Sequence, residues 1–239
     1  MPVFVVTGAR TGIGLEYIRQ LGNEPSNTVV ALVRDLKADI TALKAIVFSS
    51  NASVHISECD ISSETSLSSL VPQLVSELGQ GFKIDVLINN AAILHSRQET
   101  SLNLTADTLI SHFSTNVVGP TKVLQILLPH LASGAVIANI SSGIGSLTML
   151  SEGRIAAETT PYSISKTALN MLTVHQAKQL QGNAKVVCVD PGHVKTAMGG
   201  ANAVLEISDS AKGVLALLAR LKPEDNGKFF LYNGTELPW

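Results

Sequence analysis

Val3-Phe4-Val5-Val6-Thr7-Gly8-Ala9-Arg10-Thr11-Gly12-Ile13-Gly14 decides how this chain folds. A short β-branched run stops at a glycine-rich turn, and Ile13 to Gly22 then continues with helical spacing. Glycines at such a turn let the backbone bend tightly and approach a pyrophosphate. The anion would rest over the free amides and positive dipole of the next helix. Gly-x-x-x-Gly-x-Gly on its own fits an ordinary turn equally well. Its place after the first strand and before the first helix makes it a nucleotide signal.

The same alternation continues outward from this unit. Thr28 to Val33, Val54 to Cys59, Val86 to Asn89, Ala135 to Ile140, Lys185 to Val189 and Lys228 to Leu231 are short apolar runs that, with Val3 to Thr7, read as buried strands. Their continuous apolar character suits a parallel sheet covered on both faces. Between them Leu36 to Ser50, Glu64 to Gly79, Thr105 to Leu131, Tyr162 to Gln181 and Ser208 to Leu221 are long enough for crossover helices. The expected fold class is α/β, a Rossmann-type doubly wound parallel sheet of about seven strands flanked by helices on both faces. No repeat or linker divides residues 1–239, which are expected to form one domain.

Composition narrows the functional classes. The 239 residues are 45% hydrophobic and 15% charged with a formal charge of -2, which is neither a disordered composition nor one that would hold a phosphate backbone. Nucleic acid is therefore not an expected partner. The β-branched run begins at Val3, leaving no room for a secretory n-region, and the uncharged stretch Val123 to Ser151 is interrupted by Pro129, His130, Gly134 and Asn139. Neither secretion nor membrane insertion is expected, and a cytoplasmic location is. Cys59 and Cys188 lie far apart without C-x-x-C spacing, and the six histidines form no ligand pair, so no metal is expected.

Several residues at strand ends carry chemistry. The second strand ends Val33-Arg34-Asp35 with no carboxylate at its last position, so Arg34, with Arg10 in the glycine turn, favours NADP over NAD. Asp60-Ile61 and Asn90-Ala91 follow the third and fourth strands, where open α/β sheets bind ligands. Asp60 suits an adenine amino group or, alternatively, the cap of the helix near Glu64. After the fifth strand comes Ser141-Ser142-Gly143, and Tyr162 and Lys166 later share one helix face at i and i+4. An ammonium beside a phenol favours the phenolate and brings it toward a working pKa, while a nearby serine hydroxyl holds the same substrate oxygen.

With these motifs in this order, the chain resembles the short-chain dehydrogenase/reductase family from end to end. Thr7 to Gly14 matches its T-G-x-x-x-G-I-G turn, Asn89-Asn90-Ala91 its N-N-A-G and Tyr162/Lys166 its Y-x-x-x-K. Asn116 matches the helix asparagine whose backbone keeps a water near the lysine, and Pro191-Gly192-His193-Val194-Lys195-Thr196 the P-G-x-V-x-T that lies against the nicotinamide. The closest likeness is to small fungal carbonyl reductases of the C-factor/sniffer type and to members resembling polyketide ketoreductases. The resemblance implies an NADPH-dependent reduction of a ketone or aldehyde in a small hydrophobic substrate. Asn116, Ser142, Tyr162 and Lys166 would be catalytic. Gly8, Arg10, Thr11, Gly12, Ile13, Gly14, Arg34, Asp60, Ile61, Asn90, Ala91, Pro191, Gly192, Val194 and Thr196, with Tyr162 and Lys166, would hold the cofactor. It also implies a homodimer or homotetramer paired through the helices of Asn116 and Tyr162.

The chain departs from the family pattern at four places. Ala92 replaces the glycine of N-N-A-G, Arg10 stands one place early, the interval from Ser142 to Tyr162 is long, and the segment after Thr196 is short. The long interval leaves Ser141 open beside Ser142 and suggests a surface flap over residues 151–160. Ile144, Leu147, Leu94, Met149, Met198 and Trp239 are the candidate pocket walls. The rival functions are an NAD-dependent alcohol dehydrogenase and an NADP-binding sensor without turnover.

Overall fold

The computed structural model describes all 239 residues. Its strands are β1 Val3–Thr7, β2 Thr28–Val33, β3 Ser53–Glu58, β4 Ile84–Asn89, β5 Leu131–Ile140, β6 Ala184–Asp190 and β7 Phe229–Leu231. They form one sheet in the order β3-β2-β1-β4-β5-β6-β7, and every neighbouring pair is parallel. The helices are α1 Gly12–Leu21, α2 Thr41–Ser49, α3 Glu64–Ser68, α4 Leu70–Leu78, α5 Ala106–Phe113, α6 Gly119–Leu127, α7 Leu147–Ser151, α8 Thr160–Gln179 and α9 Ile207–Arg220.

Adjacent strand residues enter opposite cores, which is why the strands read as unbroken apolar runs. Val6, Ala31, Val33, Ala138 and Val187 pack on one face against Ile18 of α1 and Val214 and Leu217 of α9. Val5, Val30, Leu32, Ile137 and Val186 pack on the other against Leu74 of α4 and Val123 and Leu127 of α6. α8 differs, because its buried face carries Ser165, Lys166, Asn170, Thr173 and Gln176. Asn139 of β5 accepts from the Asn89 amide and donates to Thr173 Oγ1 and Gln176 Oε1, each at 2.9 Å. These bonds are worth about 1 kcal/mol each net, but a buried partner left unpaired costs about 1–3 kcal/mol, so they fix the helix in register.

Several boundaries differ from the sequence reading. α2 begins at Thr41 because Leu36 and Lys37 turn instead, their amides donating to Glu58 Oε2 at 2.9 Å and Asp35 Oδ1 at 2.8 Å. The segment 64–79 is two helices that meet at Ser69, whose hydroxyl bonds back to the Ser66 carbonyl at 2.8 Å. The segment 105–131 contains a π-helical turn at Ser114–Val118 and a 3₁₀ turn at Leu128–His130. β5 starts at Leu131, earlier than expected. Both cysteines are free and buried, no helix is long and apolar enough to cross a membrane, and no three His, Cys, Asp or Glu residues gather as metal ligands.

The winding positions the site. The chain runs outward from β1 through β2 to β3, then returns to the other side of β1 for β4. The connections therefore diverge at the C-terminal ends of β1 and β4, leaving a crevice there.

Candidate functional site

The crevice is held together by backbone contacts that only small residues permit. Thr7 Oγ1 accepts the Asn90 and Ala91 amides, both at 3.0 Å, and Asn90 Nδ2 donates to Thr7 O at 2.9 Å. Gly8 has φ +68°, and a Cβ on it would stand 2.8 Å from Ala91 Cα. A Cβ on Gly14 would stand 2.3 Å from Gly8 O. The N-terminus of α1 thus faces the crevice across a floor of bare backbone, the shape a pyrophosphate needs.

A cleft of about 730 Å³ opens above this floor. Gly8, Arg10, Thr11, Gly12, Ile13 and Gly14 line it with Arg34, Asp60, Ile61, Asn90 and Ala91. Tyr162, Lys166, Pro191 and Thr196 line the same cleft. Asp60 does not cap α3: Ser63 does, and Asp60 Oδ1 accepts from the Ser62 hydroxyl at 2.6 Å. Thr196 closes over the glycine turn, its γ-methyl 3.4 Å from where a Gly12 Cβ would stand.

Four expected residues are not among those that line the cleft. Gly192, at φ +83°, and the buried Val194 shape the loop without lining the cleft. Asn116 is buried in the π turn, where its amide exchanges bonds with Ile93 N at 2.9 Å and Ile93 O at 3.0 Å and donates to Ser165 Oγ at 3.0 Å. Ser142 is half-buried at the start of the 3₁₀ turn Gly143–Gly145, its Oγ accepting from Ile144 N at 3.4 Å and its proton left to donate. Ser141, which does line the cleft, donates its proton to Asn170 Oδ1 at 2.6 Å.

Of the six expected pocket walls, only Met198 lines the cleft. Trp239 instead stacks on Phe229, ring centroids 5.4 Å apart, and Leu147 is exposed. Ile93, Ala197 and Ile207 supply apolar lining that the sequence reading missed, as it missed Thr115 and Lys195. Lys195 lies inside the P-G-x-V-x-T match and was legible there. The others follow no motif.

Lys166 and Tyr162 set the electrostatics. Lys166 Nζ donates to Ile140 O at 2.7 Å and stands 5.4 Å from the Tyr162 ring centroid. Burial brings its ammonium down to about 8, against the pull of the Cys188 and Asp190 charges. The spacing predicts a phenol drawn down by its lysine. In the structure burial pushes the Tyr162 phenol up, Asp190 adds to that, and Arg97 opposes it. Burial and the Asp190 carboxyl outweigh the opposing Arg97 charge, so the phenol is held above its ordinary value. His112, its own pKa lowered by burial, meets the tyrosine ring edge-on at 6.4 Å between centroids.

Comparison with known proteins agrees with this geometry. The sequence profile of the short chain dehydrogenase family matches residues 2–204. An uncharacterized oxidoreductase of Schizosaccharomyces pombe is 33% identical over 257 aligned residues, covering 99% of this chain and 98% of the relative. The structure of NADPH-bound carbonyl reductase from chicken fatty liver superposes with a TM-score of 0.91 at 29% identity, covering 100% of both chains. That of the carbonyl reductase Sniffer of Drosophila melanogaster does so at 0.90 and 27%, again over 100% of both.

The low pKa of Lys166 has a consequence for stability. Between about 8 and 10.5 the unfolded chain binds this proton and the folded chain does not, so the lysine's cost to the fold fades as pH rises. Lys166→Met carries no such charge. Wild-type stability relative to Lys166→Met is expected to rise by about 3 kcal/mol across that window in urea titrations at stepped pH. A pH-independent difference would show that Lys166 keeps its ordinary pKa in the fold.

Proposed function

This chain belongs to the short-chain dehydrogenase family, and we propose that it is an NADPH-dependent reductase of ketones or aldehydes in small hydrophobic substrates, with Tyr162 as proton donor. The observation that carries the reading is one continuous cleft. Arg10, Arg34 and the glycine turn line it together with Tyr162 and Lys166. The glycine floor fits the group: a Cβ at Gly8 or Gly14 would close the space a pyrophosphate needs. Arg34 and Arg10 would take the 2′-phosphate by charge-assisted hydrogen bonds, and Asp60 the adenine end. Pro191 and Thr196 would lie along the nicotinamide end.

When bound, NADPH supplies the hydride. Tyr162 holds its proton at Oη, where the substrate oxygen needs it. Ser142, the serine with a free hydroxyl proton, orients that oxygen, whereas Ser141 is committed to Asn170. Lys166 uses one donor on Ile140 O and turns the remainder toward the cofactor ribose. Asn116 holds the chain at Ile93 and the start of α8 at Ser165, which keeps the helix that carries Tyr162 and Lys166 in place. Ile93, Ala197, Met198 and Ile207 give the substrate an apolar lining.

We further propose a homodimer or homotetramer paired through α5, the π turn and α8. Ile110, Val118 and Met171 lie exposed on these elements and would be covered in such a pair.

Replacing the Tyr162 hydroxyl by hydrogen tests the proton donor. Tyr162→Phe is expected to lower kcat by ~10² to 10⁴ on diketones, quinones or aromatic ketones while leaving NADPH affinity nearly unchanged. Retention of more than about a tenth of turnover, with chemistry rate-limiting, would assign the proton to another group. Cofactor choice is tested by charge reversal: Arg34→Asp should invert the preference for NADPH over NADH, and an efficiency ratio within about twofold of wild type would remove Arg34 from the phosphate site. Light scattering at micromolar concentration should give a multiple of 25.2 kDa, and the monomer mass itself would refute the paired face.

A further inference from the structure

Leu237-Pro238-Trp239 has no part in the reading above, yet the structure joins it to the segment that follows Ser142. After β7 the chain turns and runs back along the same strand, Leu231 N donating to Thr235 O and Leu237 N to Phe229 O, both at 2.8 Å. The returning stretch covers the strand that ends the sheet. Trp239 then stacks on Phe229, ring centroids 5.4 Å and planes 19° apart.

Two carbonyls of this stretch are taken by the segment between Ser142 and Tyr162. Ser146 Oγ donates to Pro238 O at 2.7 Å, and Thr148 N donates to Trp239 O at 2.9 Å. Ser146 is 1% exposed, and its hydroxyl works in both directions, because it also accepts Met149 N at 3.1 Å as the cap of α7. From Ser146 the bonds lead straight to the serine turn. Ser146 N donates to Gly143 O and Gly145 N to Ser142 O, both at 2.9 Å. Met149 of α7 packs on the same turn, its ε-methyl 3.4 Å from where a Gly143 Cβ would stand.

The turn's other support is α8. Ser163 Oγ donates to Ile144 O at 2.7 Å, and Thr167 Oγ1 and Asn170 Nδ2 donate to Gly145 O at 2.9 and 3.1 Å. Ser142 therefore begins a turn held by the helix of Tyr162 and Lys166 and by α7. With five residues, α7 is too short to be stable by itself and needs an outside anchor.

We propose that Leu237-Pro238-Trp239 is a clasp that positions Ser142 for the carbonyl: Trp239, stacked on Phe229, presents the Pro238 and Trp239 carbonyls to Ser146 and Thr148, which fixes α7 and through it the serine turn. Trp239 and Ser146 are positioning residues that act through Ser142. The proposal rests on the reading of Ser142 as the group that orients the substrate oxygen. The floor under the cofactor is tied together by Thr7, Asn90 and Ala91 and shares none of these bonds. Freeing the clasp should therefore weaken carbonyl turnover and leave NADPH binding alone. The long interval from Ser142 to Tyr162 has a use in this arrangement, since it supplies the helix that the clasp holds.

Trp239 is the chain's only tryptophan, so its fluorescence reports the clasp without a label. In Ser146→Ala, which removes the bond to Pro238 O, the emission should shift to the red and become more accessible to acrylamide. The same variant should lose about tenfold in kcat/KM on an aromatic ketone while its Kd for NADPH stays within about twofold of wild type. Trp239→Ala should match it, and Trp239→Phe, which keeps a ring for Phe229, should recover most of the loss. The double variant Ser146→Ala/Trp239→Ala should be no worse than the poorer single one, as two residues of one unit require. General destabilisation would not separate carbonyl from cofactor in this way. If Ser146→Ala fails to fold, Ser146→Gly removes the same hydroxyl and is tolerated at a helix cap.

An unmoved tryptophan signal in Ser146→Ala, an unchanged kcat/KM with the tryptophan freed, or a loss of NADPH affinity as large as the loss of turnover would each overturn the clasp. If the wild-type protein reduces no carbonyl, the reductase reading fails separately, and the clasp is judged by amide hydrogen exchange in Trp239→Ala. Faster exchange across residues 143–149 would uphold it as the support of the serine turn, and unchanged exchange would overturn it.

Discussion

An ammonium taken out of water must be hydrogen-bonded and must face something that gains from its charge. Lys166, 2% exposed, meets the first demand with one carbonyl, Ile140 O, at 2.7 Å. That bond ties α8 to the end of β5, and the rest of the centre is built around it. A shift of α8 by one residue would point Tyr162 away from the cleft and leave a buried charge without its acceptor, a cost of several kcal/mol. The register is defended further along the helix. Asn170 joins Ser141 and Cys188, Thr173 joins Asn139 and Cys188, and Gln176 joins Asn139. Hydrocarbon packing alone would allow some sliding, whereas a network whose donors and acceptors meet in only one arrangement does not.

What the sequence displayed depended on how local the cause was. β1 and β2 were legible to the residue, because a β-branched run between turn residues has few alternatives. The break between α5 and α6 was not, since a π turn adds a residue to a helix without changing which residues are apolar. Its reason lies in Asn116, whose partners Ile93 and Ser165 are remote in sequence. At the site, motif residues were legible as a set because the glycine turn and the Tyr-Lys pair are local arrangements. The bond that occupies Ser141 was not, because its acceptor is Asn170, a helix position outside the motifs. The apolar walls were the least legible part. Trp239 was expected as a pocket wall, but Phe229 offers it a stacked ring and holds it elsewhere.

Electrostatics shows the same division more sharply. From spacing alone a lysine one turn from a tyrosine argues for a lowered phenol. The structure adds what spacing cannot convey, that both groups are buried in the cleft wall and that the Asp190 carboxyl acts on both. Desolvation disfavours phenolate and ammonium alike, moving the tyrosine up and the lysine down. The tyrosine moves above its ordinary value and the lysine falls to about 8, so the phenol holds its proton more firmly than the ammonium does. The sequence contains both residues without the order of strength of these effects.

The placement of the site follows from backbone accounting at the sheet's C-terminal edge. There each strand runs out of neighbours, and its last carbonyls need donors from elsewhere. Thr7 O is taken by the Asn90 side chain, Leu32 O by Ala9 N, Val33 O by Cys59 N, Ile140 O by Lys166 and Asp190 O by Tyr232 N. Two of these donors are side chains, Asn90 and Lys166, and both line the cleft. The groups that satisfy the sheet's edge are therefore the groups presented to a ligand. A substitution at either position leaves a strand end unpaired as well as altering the cleft, and for that reason binding and stability are coupled here while the opposite edge of the sheet is free of that demand.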